Sequence, residues 1–272
     1  MKLLSGSELV DFIKERQAKQ VRNLKQAHHI HPTLAIVRCN TQSDVISTYV
    51  RLKQAYGDDI GVEVAVYSET PDSLIARIES LNEDDSVHGV IVQLPVTPAD
   101  LTEGAIEAVM ADKDVDGLSS HAQFDPATPT AILWLLAGYN INLEHVAIVG
   151  RGRLVGAPLE KMLRNSGVDV MSYDETSADV LPEELRKAKV IITATGQPGV
   201  ITADMIAQNA VVVDAGTASE GGVIRGDVAH DVRERQDLTI TPERGGVGPL
   251  TVAALFDNVL LAARRVAESR QN

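Results

Sequence analysis

The stretch from Val146 to Pro158, Val-Ala-Ile-Val-Gly-Arg-Gly-Arg-Leu-Val-Gly-Ala-Pro, constrains the fold more than any other part of the chain. A run of β-branched and small apolar residues stops at Gly150, a turn of glycine and arginine follows, and a helical pattern begins at Val155. That order reads strand, tight turn, helix. Gly150 and Gly152 can take backbone angles closed to other residues, and without side chains they let a diphosphate approach the main chain. The N–H groups and positive dipole end of the helix that follows then face that diphosphate. The spacing is G-x-G-x-x-x-G, one residue longer than the usual dinucleotide fingerprint. Its context favours a nucleotide site over a plain turn. An apolar strand precedes it, Val168 to Tyr173 reads as the next strand, and Asp174 follows where a ribose can be read.

Strands and helices alternate on both sides of this stretch. The pattern predicts a helix over residues 8–27, with Leu9, Phe12, Ile13, Val21 and Leu24 as its apolar face. Strands are expected at 33–38, 61–67 and 88–95, with helices at 43–56, 71–81 and 103–110. In the second half, a short apolar helix around 131–136 joins the two halves, strands are expected at 145–149, 168–173, 189–193, 210–214 and 238–241, and a long helix closes the chain from 252 to 269. Such alternation predicts an α/β protein with parallel sheets covered by helices on both sides. Ligands of such sheets sit at the carboxyl ends of the strands, which singles out Gln93 and the small-residue turns at Thr195-Gly196 and Asp214-Ala215-Gly216.

Composition narrows the partners. Lys plus Arg is 25 and Asp plus Glu is 38, a net charge of −13, and that balance disfavours nucleic acid and anionic membrane surfaces. No leader and no bilayer-spanning run are expected, so a cytoplasmic location is. The single cysteine, Cys39, agrees with a reducing compartment and is read as a small apolar residue at a strand end. His28, His29 and His31 crowd one turn with no carboxylate or cysteine beside them, which reads as a solvated loop; no metal is implied. Tyr49 and Lys53 stand four apart on one helical face, a spacing shared by snorkelling pairs and catalytic pairs.

Taken together and in order, six motifs resemble those of the bifunctional methylenetetrahydrofolate dehydrogenase/cyclohydrolase family: Tyr49-Val50-Arg51-Leu52-Lys53, Gly89 to Pro95, Lys113-Asp114-Val115-Asp116-Gly117, Gly150 to Pro158, Gly226-Asp227-Val228 and Gly245 to Thr251. The resemblance spans nearly the whole chain. It implies two α/β domains around a cleft: a folate domain from residues 1–127 plus 252–272, and a Rossmann-type dinucleotide-binding domain from 128–251. It also implies oxidation of 5,10-methylenetetrahydrofolate with NAD or NADP, hydrolysis of the methenyl product to 10-formyltetrahydrofolate, and assembly as a homodimer. Carried over residue by residue, Lys53 would be the acid/base of the hydrolysis, Gln93 would hold and tune it, and Asp116 would accept hydrogen bonds from the pterin. Tyr49, Leu94, Pro95, Gly246, Pro249 and Thr251 would contact the folate. Gly150, Arg151, Gly152, Val155, Asp174, Thr195, Gly196 and Gly216 would contact the nucleotide.

The departures from the family pattern fall on the nucleotide half and on the loops. Gly152 replaces a serine, Ala127 a cysteine, His121 an asparagine and Arg244 a proline, and the 38–44 segment differs throughout. The family's His-Ser after the second nucleotide-domain strand, a pair associated with the 2′-phosphate of NADP, is Asp174-Glu175 here. Two carboxylates repel that phosphate, whereas one can accept a hydrogen bond from a ribose hydroxyl, which favours NAD. Arg151 and Arg153 weigh the other way, since either could reach a 2′-phosphate. A relative acting on another small substrate, and a folate- or nucleotide-binding protein with little turnover, are the alternative readings.

Overall fold

A computed structural model describes residues 1–39, 44–220 and 223–270. In chain order the first half is β1 (Lys2–Leu3), α1 (Gly6–His28), β2 (Thr33–Cys39), α2 (Asp44–Ile60), β3 (Glu63–Glu69), α3 (Leu74–Glu83), β4 (Gly89–Val92) and α4 (Leu101–Glu107). The second half is α5 (Ala127–Gly138), β5 (Val146–Val149), α6 (Gly156–Asn165), β6 (Val170–Tyr173), α7 (Leu181–Leu185), β7 (Val190–Thr193), β8 (Val211–Asp214), β9 (Ala218–Glu220), β10 (Val223–Arg225), α8 (His230–Glu234), β11 (Thr239–Ile240) and α9 (Val247–Ser269). Two compact units result: Asp11–Ala127 with Val252–Asn272, and Met1–Val10 with Thr128–Thr251.

In the unit that begins at Asp11, three parallel strands run in the order β3-β2-β4. Leu34, Ile36, Val37, Val90 and Ile91 leave almost no surface exposed, as strands covered on both faces require. Ala35, Val37 and Cys39 pack against Leu74, Ile78 and Leu81 of α3. On α1, Val21 and Leu24 are buried, but Phe12, which the sequence places on the same apolar face, is 75% exposed. A buried position in the same helix is instead the polar Gln17. Its amide donates to the carbonyl of Ala253 at 2.9 Å and accepts from the Tyr56 hydroxyl at 2.7 Å, while Tyr56 stacks on Phe256. A buried polar side chain is tolerable when both ends of its amide are satisfied.

The other unit holds a six-stranded sheet in the order β1-β11-β8-β7-β5-β6, with β9 and β10 paired separately and antiparallel. All ladders within the six-stranded sheet are parallel, and Val149 stands beside Tyr173 on one side and Thr193 on the other. Residues 1–10, expected with the other unit, belong here because β1 adds to the sheet edge beside β11. The final helix also differs from expectation. It starts at Val247 instead of 252, so Pro249 lies in its first turn, where no intrahelical N–H bond is lost. Contrary to the reading that no segment is long enough, α9 has the length and hydropathy to cross a bilayer; yet 56% of its apolar window is buried, through residues such as Phe256, Val259 and Ala263. It is a core helix.

His88, just before β4, is a buried titratable group. Burial, together with the charges of Lys113 and Arg270, pushes its imidazole down from 6.5 to about 4, and its Nδ1 accepts the Thr33 N–H at 3.3 Å. Between those two values the unfolded chain binds a proton that the folded chain refuses, so stability falls as pH drops from 6.5 to about 4 and the contribution is intact at pH 7. Over that interval His88→Gln is expected to lose less stability than the parent, by on the order of 2 kcal/mol. Urea unfolding at pH 7 and at pH 4.5 checks this; parallel losses would contradict it.

Candidate active site

Two clusters of the singled-out residues emerge, one in each unit. In the first, α2 carries Tyr49 and Lys53 on one face, and both are partly buried. The Lys53 ammonium donates to Gln93 Oε1 at 2.9 Å, and the Gln93 amide donates to the Leu94 carbonyl at 3.0 Å. Gln93 leaves β4 at its carboxyl end, where its own N–H bonds the Val37 carbonyl at 2.8 Å. Both groups of the Gln93 amide are therefore engaged, and its oxygen is aimed at Lys53. Burial lowers the Lys53 pKa because the ammonium loses hydration, and Asp116 opposes that shift as a nearby negative charge. Conversely, burial raises the Asp116 pKa, with Lys53 pulling it back. Burial likewise raises the Tyr49 hydroxyl, which keeps it neutral.

Asp116 sits on a turn built by its neighbours. The buried Asp114 carboxylate accepts the N–H groups of Gly117 at 3.1 Å, Leu118 at 3.4 Å and Ser119 at 2.8 Å, an acid-capped turn. The Val90 N–H bonds the Lys113 carbonyl at 2.8 Å, which joins the turn to β4. From α9, Asn258 donates to the carbonyls of Val115 at 2.9 Å and Asp125 at 3.0 Å. Asp114 and Asn258 hold this turn, and neither was singled out from the sequence. Cys39 is buried at the end of β2, its thiol pushed up chiefly by burial. Of the altered 38–44 segment, residues 40–43 lie outside the described ones.

The second cluster lines the carboxyl ends of β5 to β8. Gly150 has φ +98°, and a Cβ on Gly156 would stand 1.7 Å from the Gly150 carbonyl oxygen, so the turn closes only with glycine at both places. A Cβ on Gly152 would meet nothing within 4 Å, so the missing serine left open space over the turn. Val155 precedes α6 and is partly buried. Asp174 follows β6, and its carboxylate accepts the Thr176 hydroxyl at 2.6 Å and the Thr176 N–H at 3.0 Å. Those bonds, and more weakly the charge of Arg151, hold its carboxyl below the usual range. Gly246, Pro249 and Thr251 belong to this unit as well, at the start of α9.

Two buried carboxylates unnoticed as such in the sequence shape these loops. Asp227 accepts the Thr193 hydroxyl, the Thr195 N–H at 2.6 Å and the Gln197 N–H at 3.0 Å. A Cβ on Gly216 would come within 2.1 Å of Asp227 Oδ1, which explains the glycine there. Asp214 accepts the N–H groups of Gly216 at 3.1 Å, Asp227 at 2.9 Å and Val228 at 3.2 Å, and Arg233 Nη2 at 3.0 Å. Arg233 also donates to the Thr241 carbonyl at 3.0 Å. The G-D-V motif was the available signal for Asp227; nothing local marked Arg233.

Close glycine turns at strand ends, the amino end of a ten-residue helix and open space at Gly152 fit a dinucleotide. Among the described residues no group of three or more His, Cys, Asp or Glu could hold a metal ion.

Comparisons with known proteins agree over both halves. The catalytic-domain model of the tetrahydrofolate dehydrogenase/cyclohydrolases matches residues 4–116, and their NAD(P)-binding-domain model matches residues 126–267. The chain is 33% identical to the bifunctional protein FolD of Macrococcus caseolyticus over 283 residues, 98% of this chain and 99% of that one. The crystal structure of the Campylobacter jejuni bifunctional enzyme FolD, a methylenetetrahydrofolate dehydrogenase/cyclohydrolase, superposes with a TM-score of 0.90 at 33% identity, covering 98% and 99% of the two chains. The Trypanosoma brucei N5,N10-methylenetetrahydrofolate dehydrogenase-cyclohydrolase, solved with NADP and an inhibitor, gives 0.89 at 26% identity, covering 97% of each.

Asp227→Asn tests the loop-shaping carboxylate. However its amide turns, an NH2 group faces a backbone N–H, that of Thr195 or that of Gln197. Stability is expected to fall by roughly 2–4 kcal/mol, read as a lower urea midpoint. An unchanged midpoint would show that these bonds are not formed in solution.

Proposed function

The chain belongs to the tetrahydrofolate dehydrogenase/cyclohydrolase family, and from that premise we propose that it oxidises 5,10-methylenetetrahydrofolate with NAD(P) and hydrolyses the methenyl product to 10-formyltetrahydrofolate. The observation that carries this reading is the Lys53–Gln93 hydrogen bond beside Asp116, within a chain whose two halves each match the family. Lys53 is the acid and base of the hydrolysis. As a neutral amine it takes a proton from the water that adds to the methenyl carbon, and as an ammonium it returns that proton to N5 as the carbon–N5 bond breaks. The formyl group is left on N10, and one proton is released to solvent as the hydroxyl becomes the carbonyl. Desolvation lowers the Lys53 pKa and so favours the neutral amine, and Gln93 aims it without adding charge.

Asp116 binds the pterin through paired N–H donors, which favour the ionised form that burial opposes. Tyr49 packs on the folate from the Lys53 face, with Leu94, Pro95, Gly246, Pro249 and Thr251 as further contacts. A nicotinamide cofactor held at the glycine turn would supply the hydride acceptor for the oxidation of the methylene carbon. For its part the chain supplies the glycine turn 150–156, and the loops at Thr195-Gly196 and Gly216 that Asp227 and Asp214 hold in place. NAD is the preferred cofactor, since Asp174 and Glu175 bring carboxylates to the end of β6. Assembly as a homodimer belongs to the same proposal.

Mixing the protein with 5,10-methylenetetrahydrofolate and NAD or NADP separately is expected to reduce NAD faster. Lys53→Met is expected to lower hydrolysis of methenyltetrahydrofolate by at least about 100-fold while folate still binds. In the parent, the hydrolysis rate is expected to rise with pH through a midpoint below the ordinary lysine value of 10.5, because the neutral amine is the base. Undiminished hydrolysis by the Lys53→Met protein would remove Lys53 from the chemistry.

A further inference from the structure

Arg151 is the cation best placed to undo the proposed preference for NAD. It follows Gly150 in the glycine turn, and Val149 and Tyr173 are paired neighbours on β5 and β6, so Arg151 and Asp174 leave the sheet side by side. An arginine there is the usual partner for a phosphate, through its paired N–H donors. Here, however, the guanidinium is already engaged. Glu160, one turn into α6, lies with Oε2 at 3.3 Å from Arg151 Nε and Oε1 at 2.9 Å from Arg164 Nη2. The Glu160 side chain is only 13% exposed, so both pairs are less screened by salt than a surface pair. Arg151 itself is 51% exposed, which leaves it room to swing toward the end of β6 if it were released.

We infer that Glu160 is a specificity-determining residue: by holding Arg151 on α6 it withholds the guanidinium from a ribose 2′-phosphate, and with Asp174 it offsets the positive charge of that subsite. The inference rests on the NAD reading but concerns a different residue. The charges agree with it. Arg151 and Arg164 are offset by Glu160 and Asp174, and Arg153 by Glu175, so no net positive charge remains to meet the two negative charges that NADP would bring. Glu160 does not touch the nucleotide in this reading. It acts through Arg151, so its loss should alter discrimination between nucleotides more than turnover.

The test compares adenosine 2′,5′-bisphosphate with adenosine 5′-monophosphate by calorimetry, and NADP with NAD in the dehydrogenase assay, for the parent, Glu160→Gln, Glu160→Asp and Glu160→Gln/Arg151→Met. The bisphosphate differs from the monophosphate only in the 2′-phosphate, so binding reports the subsite whether or not turnover occurs. Glu160→Gln is expected to shift both ratios toward the 2′-phosphate by about tenfold, Glu160→Asp to stay near the parent, and the double variant to lose the gain. Unchanged ratios in a folded Glu160→Gln protein would overturn the inference and leave the NAD reading standing. A shift that survives Arg151→Met would overturn it too, since another cation would then be the carrier. A parent that binds the bisphosphate more tightly than the monophosphate would overturn the NAD reading, and the Glu160→Gln comparison would still decide the role of Glu160.

Discussion

A lysine ammonium taken largely out of water is the constraint on which the proposed chemistry depends. An unpaired buried charge is costly, and the usual remedy is a carboxylate in direct contact. Here the direct partner of Lys53 is the neutral oxygen of Gln93, and the carboxylate of Asp116 acts on it through its field. That choice leaves the amine able to exist in either protonation state. A tight ion pair would lock it as the ammonium. Much of the surrounding unit serves this placement: the Val37 carbonyl fixes Gln93, Asp114 folds the turn that carries Asp116, and Asn258 holds that turn from α9.

The other unit solves the opposite problem. Its expected ligand is an anion, yet the loops that would meet it are organised by buried carboxylates. Asp227 and Asp214 collect backbone N–H groups from three loops, that of Asp227 going to Asp214, and Arg233 is drawn in as a counter-charge. Burial raises the Asp214 carboxyl, while the N–H groups of Asp227 and Val228 and the charge of Arg233 favour its ionised form. Carboxylates in such positions shape the backbone from behind, and the turn at Gly150 to Gly156 keeps the amino end of α6 for the diphosphate.

What the sequence revealed was local. Strands β5, β7 and β8 are short apolar runs ended by Gly150, Thr193 and Asp214, and such runs can be read without knowing their partners. The Tyr49–Lys53 spacing gave a shared helical face, and only the family motif connected that face to Gln93, forty residues on. Pairings set by the tertiary fold had no such signal. The two residues of β1 are a strand only because β11 lies beside them. Phe12 fits the helical period of α1 yet faces outward, while the polar Gln17 is buried because Ala253 and Tyr56 satisfy it. The early start of α9 was hidden by Gly-Pro, which reads as a loop but is compatible with a first helical turn. Arg151 could be seen as a cation near the nucleotide, but its engagement by Glu160 could not.

On this mechanism Lys53 titrates below an ordinary lysine because it is desolvated beside a neutral acceptor. Isotope labelling of lysine Cε, with Lys53 assigned by comparison with Lys53→Met, allows its midpoint to be followed by NMR as pH is raised. A midpoint clearly below 10.5 is expected, moving upward when Gln93→Glu supplies a direct negative partner. A midpoint at or above 10.5 in the folded parent would mean that Lys53 remains a solvated or tightly paired ammonium, and the proposed acid/base role would fall with it.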